Sequence, residues 1–405
     1  MDSQDPLTTR PPAGPWKIDV VLYDHPNAQS VFVGDATLLE DDTLIVPLSV
    51  TWRGPFIGYD WYEVKDALHL NLISRDRGIS WQVHDGPVPE KSFQLSDGAL
   101  FRVWWKGYES YPVDRQTEFE KAGHFVYPVP EQKMFSVTGG FRAGVSRDSG
   151  RTWSEWDVVL PHRASLAGYG MATAKRLSDG TILMPAFGYL SRCHKTRACL
   201  MLRSPDAGAH WDLITLAQDD RPEAVADAPL PSDSDWAALH RGILGFDEAQ
   251  VIETRTPGRV IAVIEEAKTK DLYACLSEDS GRTWTRPVKT GMRGNTPLLL
   301  RLRSGTLACA YTDRYAPDPM ARGLHVCYSR DDGETWDTDH LVILKDTNAR
   351  PDGQCLWNLV QFSDGTLFSS GWSTKRGCGG GEEVSYAVGF RFTEDFITPL
   401  RVNRS

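Results

Sequence analysis

The stretch Ser329-Arg330-Asp331-Asp332-Gly333-Glu334-Thr335-Trp336 decides the fold, because its pattern occurs five times in the chain. Each copy reads Ser-x-Asp-x-Gly-x-x-Trp, and the other copies are Ser74–Trp81, Ser146–Trp153, Ser204–Trp211 and Ser277–Trp284. The Asp carboxylate can accept hydrogen bonds from nearby backbone N–H groups, and the Gly supplies a positive φ at little cost. The Trp that follows buries a large ring against the sheet. Five copies of this signature indicate a repeat protein built on β-hairpin turns.

A second repeat is independent of the first and consists of an apolar residue, a short Asp/Gly turn and an apolar strand. It occurs at 39–48, 95–104, 177–187, 256–264, 302–311 and 362–372. Each copy predicts a β-hairpin with a tight turn. The hairpins alternate strictly with the boxes, so two hairpins make one four-stranded antiparallel sheet. Six such sheets repeated radially predict an all-β fold, a six-bladed β-propeller with five Asp-boxes.

The two ends of the chain are expected to meet in the last blade. Residues 1–15 are Pro-rich and polar, which predicts a disordered arm, and 16–405 are predicted to form one propeller domain. The sixth unit lacks a box, but its tail at 384–392 supplies one strand, and the alternating stretch at 16–23 can supply the next. This pairing would close the ring and remove an exposed sheet edge.

Two insertions interrupt the repeats, at 108–135 and at 218–244. Both are too long for hairpin turns, so they are expected to form lids over a site or short helices.

The composition excludes some classes of partner. Hydrophobic residues make up 41% and charged residues 24%, as in an ordinary globular protein, and the net charge of −10 is spread without a long acidic or basic run. This argues against nucleic acid and against an anionic membrane surface. The N-terminus shows no apolar signal region, and the seven cysteines fit reduced, buried thiols. The expectation is a cytoplasmic protein, or a secreted one if a signal had been removed.

Boxes of this type, paired with Leu-x-Asp-Gly-Thr-Leu hairpins, resemble the sialidase (neuraminidase) superfamily of BNR/Asp-box repeat proteins. The resemblance covers 35–395, and it implies a six-bladed propeller. It implies less about activity, because the boxes are turns far from the active site and also occur in proteins that are not sialidases.

One mouth of such a propeller gathers the candidate site. The start of each innermost strand and the loop after each second strand lie at the same end of the central channel. These positions supply carboxylates, cations and aromatic rings, a mixture that suits a sugar. The candidates are Asp35, Trp52, Arg53, Tyr169, Tyr189, His194, Glu248, Glu265, Arg314, Trp357 and Arg376.

Three of the family's functional positions have matches. Glu248, in Phe-Asp-Glu-Ala-Gln-Val, matches an Asn-Glu-x-x-Val motif, and the resemblance implies that it is the base partner of a nucleophilic Tyr. Arg314 matches a Tyr-x-x-Arg motif whose Arg binds the substrate carboxylate. Asp60 lies on the loop before the first box, where the family carries its general acid.

The departures from the family pattern argue against a true sialidase. Sialidases hold a carboxylate with three Arg residues, but the first position here reads Phe-Val-Gly-Asp at 32–35, and the second is Glu265. The motif of the nucleophilic Tyr is replaced by the stretch 354–358. A carboxylate ligand would be repelled by this arrangement. What remains is Glu248 with Asp35 or Glu265, a pair that fits ordinary glycoside hydrolysis.

The sequence therefore predicts an exo-acting glycoside hydrolase on a terminal sugar. Glu248 and either Asp35 or Glu265 would form the carboxylate pair, with Asp60 in support and Trp52 and Trp357 as stacking platforms. Cys193, His194 and Cys199 lack zinc spacing, so no metal and no cofactor are expected. The expected partner is a carbohydrate, and the oligomeric state is not indicated.

Three alternatives stay open at this point. The first is a polysaccharide lyase acting on a uronate, with Arg314, Lys106 or Arg376 neutralising the carboxylate. The second is an exo-sialidase, and the third is a non-catalytic carbohydrate-binding propeller.

Overall fold

The computed structural model describes most of the repeats. The described residues are 14–25, 28, 30–51, 68–84, 92–122, 124, 126–129, 132–148, 150–161, 165–167, 174–189, 196–219, 244–313, 322–346, 355–376 and 383–397. The predicted arm at 1–15 lies outside them except for its last two residues. Most of the second insertion, 220–243, also lies outside them. In the described part of the chain, no helix has the length and apolar character needed to cross a lipid bilayer.

The fold is all-β, and its strands form six units that follow one another along the chain. The first strand, β1 (Lys17–Tyr23), stands apart because it pairs antiparallel with the last strand, Glu383–Phe392. The predicted meeting of the two chain ends in one sheet is therefore confirmed. This pairing ties down a segment that would otherwise leave the last sheet with an open edge.

The first three units have the following strands. Unit 1 contains β2 (Ser30–Val33), β3 (Thr37–Leu38), β4 (Leu44–Thr51), β5 (Leu68–Ser74) and β6 (Gln82–Val83). Unit 2 contains β7 (Phe93–Gln94) and β8 (Leu100–Trp105), then an insertion with β9 (Tyr108–Pro112), a 3-10 helix (Val113–Arg115), α1 (Gln116–Lys121), β10 (Tyr127–Val129) and β11 (Met134–Thr138), then β12 (Phe141–Ser146) and β13 (Ser154–Asp157). Unit 3 contains β14 (Ser165–Ala167), β15 (Lys175–Arg176), β16 (Ile182–Tyr189), β17 (Thr196–Ser204) and β18 (Asp212–Ala217).

The last three units are more regular. Unit 4 contains β19 (Leu244–Glu253), β20 (Val260–Glu266), β21 (Asp271–Ser277) and β22 (Val288–Arg293). Unit 5 contains β23 (Asn295–Arg301), β24 (Leu307–Asp313), β25 (Gly323–Ser329) and β26 (Val342–Asp346). Unit 6 contains β27 (Cys355–Gln361), β28 (Leu367–Arg376), β29 (Glu383–Phe392) and β1.

All six predicted hairpins are confirmed. The pairs β3–β4, β7–β8, β15–β16, β19–β20, β23–β24 and β27–β28 are antiparallel. Units 3 and 4 are also joined by a short parallel pairing between β17 and β19. The first insertion forms a small sheet of its own, in the order β10-β11-β9, next to α1.

Each box turn is closed by its own side chains. Ser329 Oγ donates to Asp331 Oδ1 at 2.8 Å, the N–H of Gly333 donates to Ser329 Oγ at 2.8 Å, and the N–H of Thr335 donates to Asp331 at 2.9 Å. Gly333 has a φ of 89°. The other four boxes have the same Ser-to-Asp and Gly-to-Ser hydrogen bonds. The repeated residues are thus the ones that build the turn.

The core lies between neighbouring units, as β20 illustrates. Val260, Ala262 and Ile264 pack against unit 3, whereas Ile261 and Val263 pack against unit 5. Successive side chains of a strand point to opposite faces, so a strand buried on both faces reads as a continuous apolar run. Similar clusters join units 2 and 3, and units 5, 6 and 1. Packing therefore continues from unit 2 through unit 6 to unit 1.

Candidate functional site

The candidate site is built on irregularities in the first strands of units 4, 5 and 6. The pairing register shifts between Asp247 and Ala249 in β19, between Asn295 and Leu298 in β23, and around Trp357 in β27. A β-bulge of this kind leaves an extra residue unpaired and re-aims its side chain. In β19 the extra residue is Glu248. Strand β23 contacts both β19 and β27, so the three irregularities lie on adjacent strands.

Glu248 and Glu265 form the centre of the site. Glu265 lies at the end of β20, opposite Asp247 in the register, and only 2% of it is exposed. Glu248 is partly buried, and it lies in the bulge next to Asp247, the residue that pairs with Glu265. The structure thus brings together two of the carboxylates that the sequence selected.

Glu265 accepts hydrogen bonds from several donors. Lys270 Nζ contacts Oε1 directly, and Asn295 Nδ2 donates to the same oxygen at 2.8 Å. The backbone N–H of Thr296 points to Oε2 at 3.4 Å. Burial raises the pKa of Glu265, but the charge of Lys270 opposes that effect. A buried carboxylate with these partners is stabilised in its charged form.

Glu248 has the opposite environment. Burial raises the pKa of Glu248 well above its ordinary value, and the negative charges of Glu265 and Asp247 raise it further. Its Oε2 is buried, and no hydrogen-bond donor in the described part of the chain reaches it. Because a buried ionised carboxylate needs such a donor, the geometry favours the protonated acid. The donors therefore favour the charged form of Glu265, whereas their absence at Oε2 favours the protonated form of Glu248.

Asp247 is held by a separate ion pair. Arg197 Nη1 lies 2.8 Å from Asp247 Oδ2, and both residues are less than 10% exposed. The parallel pairing of β17 with β19 places Arg197 opposite Gly245 and so brings the cation to this strand. The ring of Phe187 lies under the guanidinium, 5.1 Å away. Asp247 is thus bound by a buried cation and fixed next to Glu248.

Asp35 lies at the boundary of units 1 and 6, and it is partly buried. The side chain of Asn358 fixes the backbone on both sides of it. Asn358 Oδ1 accepts from the N–H of Ala36 at 2.5 Å, and its Nδ2 donates to the carbonyl of Gly34 at 2.9 Å. The position of Asp35 is therefore determined by a residue of the last unit.

The predicted position of Trp357 at the mouth is wrong. The sequence suggested a stacking platform for a sugar, but only 2% of Trp357 is exposed. Its ring packs edge-on against Phe32, with centroids 4.6 Å apart, and lies 5.4 Å from the ring of Trp372. The bulge at this position turns the indole into the core between units 6 and 1, so its faces are covered by protein.

The remaining predicted residues are described in part or not at all. Tyr189 and Arg376 end β16 and β28, where they pair with Ser165 and Glu383. The other predicted residues lie outside the described residues: Trp52, Arg53, Asp60, Tyr169, His194 and Arg314.

Three residues at the site were not found from the sequence. Lys270 follows Glu265 across a hairpin turn, and Thr296 lies in a bulge. Cys355 is fully buried, and its Sγ lies 3.4 Å from Thr296 Oγ1. No motif marks these residues. The sequence signal for Lys270 is weak: a cation five residues after an acid near the end of a strand.

Comparison with known proteins identifies the family and the fold. A family model described as a BNR repeat-like domain matches residues 124–391. A protein of unknown function from Dyadobacter fermentans has a similar structure, with a TM-score of 0.65 and 18% identity, over 94% of this chain and 99% of that one. A mutant of the NanB sialidase from Streptococcus pneumoniae has a TM-score of 0.54 and 11% identity, over 98% of this chain and 73% of that one.

A sialidase mutant from Trypanosoma rangeli that displays trans-sialidase activity has a TM-score of 0.51 and 11% identity, over 93% of this chain and 58% of that one. No curated protein sequence matches the chain significantly. Likeness at these identities shows a common fold and leaves the activity to the site.

Proposed function

Because this chain belongs to the BNR repeat-like domain family and has a sialidase-like fold, we propose that it is a glycoside hydrolase that removes a terminal sugar. The observation that carries the proposal is the Glu248–Glu265 pair, in which a partly buried carboxyl group without a donor at Oε2 lies beside a buried carboxylate that accepts from Lys270 and Asn295. Pairs of carboxyl groups with such opposed environments are typical of acid–base catalysis.

In this proposal Glu248 is the general acid. It gives its proton to the glycosidic oxygen while the bond from that oxygen to the anomeric carbon breaks. Glu248 is then the anion. If Asp35 attacks the sugar, Glu248 takes a proton from the water that later displaces Asp35; if Asp35 takes the proton of the attacking water, Glu248 regains its proton from solvent. This role needs an acid that is still protonated near neutral pH, which the environment of Glu248 supports.

The second carboxylate in this proposal is Asp35. Glu265 is almost fully buried, and its Oε1 is occupied by Lys270 and Asn295, so it is poorly placed to reach a sugar. Asp35 is partly exposed and belongs to unit 1. In a ring of six units, units 1 and 4 stand on opposite sides of the channel. Asp35 would therefore face Glu248 across the substrate, either activating water or attacking the sugar.

The proposal includes closure of the six units into a six-bladed β-propeller. Continuous packing from unit 2 through unit 6 to unit 1 supports it, as does the pairing of β1 with β29. Closure by the two chain ends would fix the ring in the way that propellers protect their sheet edges.

A neutral terminal sugar is the substrate class we propose. The anions Asp247 and Glu265 lie beside the acid, and each already has a cation partner within the protein. Among the described residues, a sugar carboxylate brought to this wall would meet two anions whose cation partners are already engaged within the protein. The proposal keeps Asp60 as a supporting acid, outside the described residues. It also keeps the predicted sugar-binding roles of five residues outside the described ones: Trp52, Arg53, Tyr169, His194 and Arg314. Tyr189 and Arg376 keep the same predicted role.

The test of the acid uses substrates that differ only in leaving group. We expect Glu248→Gln to lower kcat/KM on alkyl glycosides, which need protonation, by about 10²–10⁴-fold. In aryl glycosides of strongly acidic phenols, the phenolate leaves without protonation. The kcat/KM on these substrates should therefore fall much less. Glu278→Gln is the matched control, because its carboxylate is exposed and pairs with Arg259 in the same unit. Equal losses on both substrate types would contradict the general-acid role.

The same screen separates the alternatives. Release of an unsaturated uronate from a polysaccharide would favour a lyase, and cleavage of a sialoside would favour an exo-sialidase. Specific carbohydrate binding that survives in Glu248→Gln, with no product from any substrate, would favour a binding propeller.

A further inference from the structure

The hairpin between β20 and β21 carries an unusual residue. Lys270 has a φ of 63°, in the left-handed region that glycine usually occupies. For a residue with a side chain, this conformation is less favourable than it is for glycine. Its backbone is fixed on both sides, since its N–H donates to the carbonyl of Glu266 at 2.9 Å and its carbonyl accepts from Gly294 at 2.7 Å. The turn thus has a lysine where glycine would be less strained.

A second strained residue meets the same carboxylate from another unit. Thr296 has a φ of 54°, which is a clear outlier for a β-branched side chain, and it is 2% exposed. Its N–H points to Oε2 of Glu265, while Lys270 contacts Oε1. Strained backbone of this kind concentrates at functional sites, where the surrounding structure holds it in place. Both strained residues are donors to Glu265.

Among the described residues, few charged and titratable groups surround the pair. From β17, the Cys199 thiol contacts the carbonyl oxygen of Asp247. From β19, Asp247 faces both carboxyl groups, but Arg197 binds it. From β27, the Cys355 thiol lies near Glu248. Lys270 is the cation that contacts the pair itself among the described residues, and its contact is with Glu265 rather than Glu248. The donors are thus distributed unequally between two adjacent carboxyl groups.

We propose that Lys270 is a positioning residue that keeps Glu265 charged and so leaves the single proton of the carboxyl pair on Glu248. This rests on the proposed function, because the proton matters for turnover only if Glu248 is the acid. Asn295 and Thr296 assist by donating to the same carboxylate. Without Lys270, the two carboxyl groups compete for the proton, and the pair takes up a second proton more readily.

The activity test compares three variants. Lys270→Met keeps the length of the side chain and removes the charge. We expect the basic limb of its pH–rate profile, which reports loss of the proton of the carboxyl pair, to shift upward by about 1–3 units, the range that an opposite charge at close contact gives. We also expect kcat to fall about tenfold or more while KM changes little, since binding is not affected. Lys270→Arg should restore both. Lys268→Met is the matched control, because Lys268 lies exposed in the same turn.

A second readout does not depend on turnover. Infrared spectroscopy at neutral pH detects protonated carboxyl groups by their C=O stretch. We expect one such band to be lost in Glu248→Gln, and a band from protonated Glu265 to return in the double variant Lys270→Met with Glu248→Gln. A double variant without this band would overturn the proposal, and so would a Lys270→Met variant with the wild-type pH profile. If no glycoside is cleaved by the unmodified protein, the proposed function fails, while the infrared bands still decide the role of Lys270.

Discussion

His325 gives this protein a built-in sensitivity to mild acid. The residue lies in β25, in the middle of unit 5, and is 5% exposed. Its ring packs edge-on against Tyr311, with centroids 5.4 Å apart, and its Nε2 is buried without a hydrogen-bond partner in the described part of the chain. Burial lowers the pKa of His325 to about 4. The folded protein therefore holds this imidazole neutral.

The effect on stability follows from the difference between the folded and unfolded states. An unfolded His has a pKa of about 6.5, so between about pH 6.5 and 4 the unfolded state binds a proton that the folded state excludes. The free energy of unfolding therefore falls as the pH falls through this range. With about 1.4 kcal/mol for each pKa unit, the loss is about 2 kcal/mol at pH 5 and about 3.4 kcal/mol below pH 4.

Urea unfolding at about pH 7.5 and pH 5 measures this loss, and His325→Phe removes the titrating group. Phe keeps the ring packed against Tyr311. The other titrating groups are common to both proteins, so they cancel when the pH dependence of the two is compared. We expect the variant to lose about 2 kcal/mol less than the original protein between the two pH values.

The comparison does not depend on whether His325→Phe is itself more or less stable, because only the change with pH is compared. His84→Gln serves as a control for removing an imidazole elsewhere, on a residue outside the core. If the original protein and His325→Phe show the same pH dependence, His325 is not held neutral by burial and the reasoning is refuted.

Two further predictions concern packing and charge. Gly333 and Gly365 share a φ of 89°, but a Cβ on Gly333 would lie 2.1 Å from Ile261 Cδ1, whereas nothing lies within 4 Å at Gly365. We expect Gly365→Ala to lower the free energy of unfolding by about 1–2 kcal/mol, and Gly333→Ala to lower it by about 1–3 kcal/mol more. Equal urea midpoints for the two variants would contradict the close packing of the box at Gly333. Arg197→Met leaves Asp247 buried without its cation, so we expect the free energy of unfolding to fall by about 3–5 kcal/mol. Adding Asp247→Asn should recover part of this loss, and a double variant no more stable than Arg197→Met would contradict the ion pair.

The turns and the order of the strands could be predicted from the sequence because they depend on local chemistry. The Ser, Asp and Gly of each box bond to one another within five residues, so the pattern carries its own explanation. The pairing of 17–23 with the last strand was also predictable, since an alternating segment and an incomplete sheet remained at opposite ends. Both inferences needed only residue types and their spacing.

The aromatic and cationic groups of the site were harder to predict, because bulges decide where side chains point. Trp357 was expected at the surface of the mouth from its position at the start of β27. The register shift at this residue turns its ring into the core instead. A one-residue irregularity reverses the face on which a side chain lies, and nothing in the sequence marks it. The same kind of shift, in β19, makes Glu248 the residue without a ladder partner.

The surroundings of Glu265 add a role that its position in the sequence does not indicate. From the sequence, Glu265 is a reversal of the charge that would bind a carboxylate. In the structure, its charge is directed into the protein, where Lys270 and Asn295 bind it. The charge of Lys270 therefore offsets part of the repulsion that Glu265 would exert on a ligand carboxylate. Its main effect falls on Glu248, whose proton it helps to retain. The glutamate that departs from the sialidase pattern at position 265 would thus also supply the electrostatic partner that an acid catalyst at Glu248 needs.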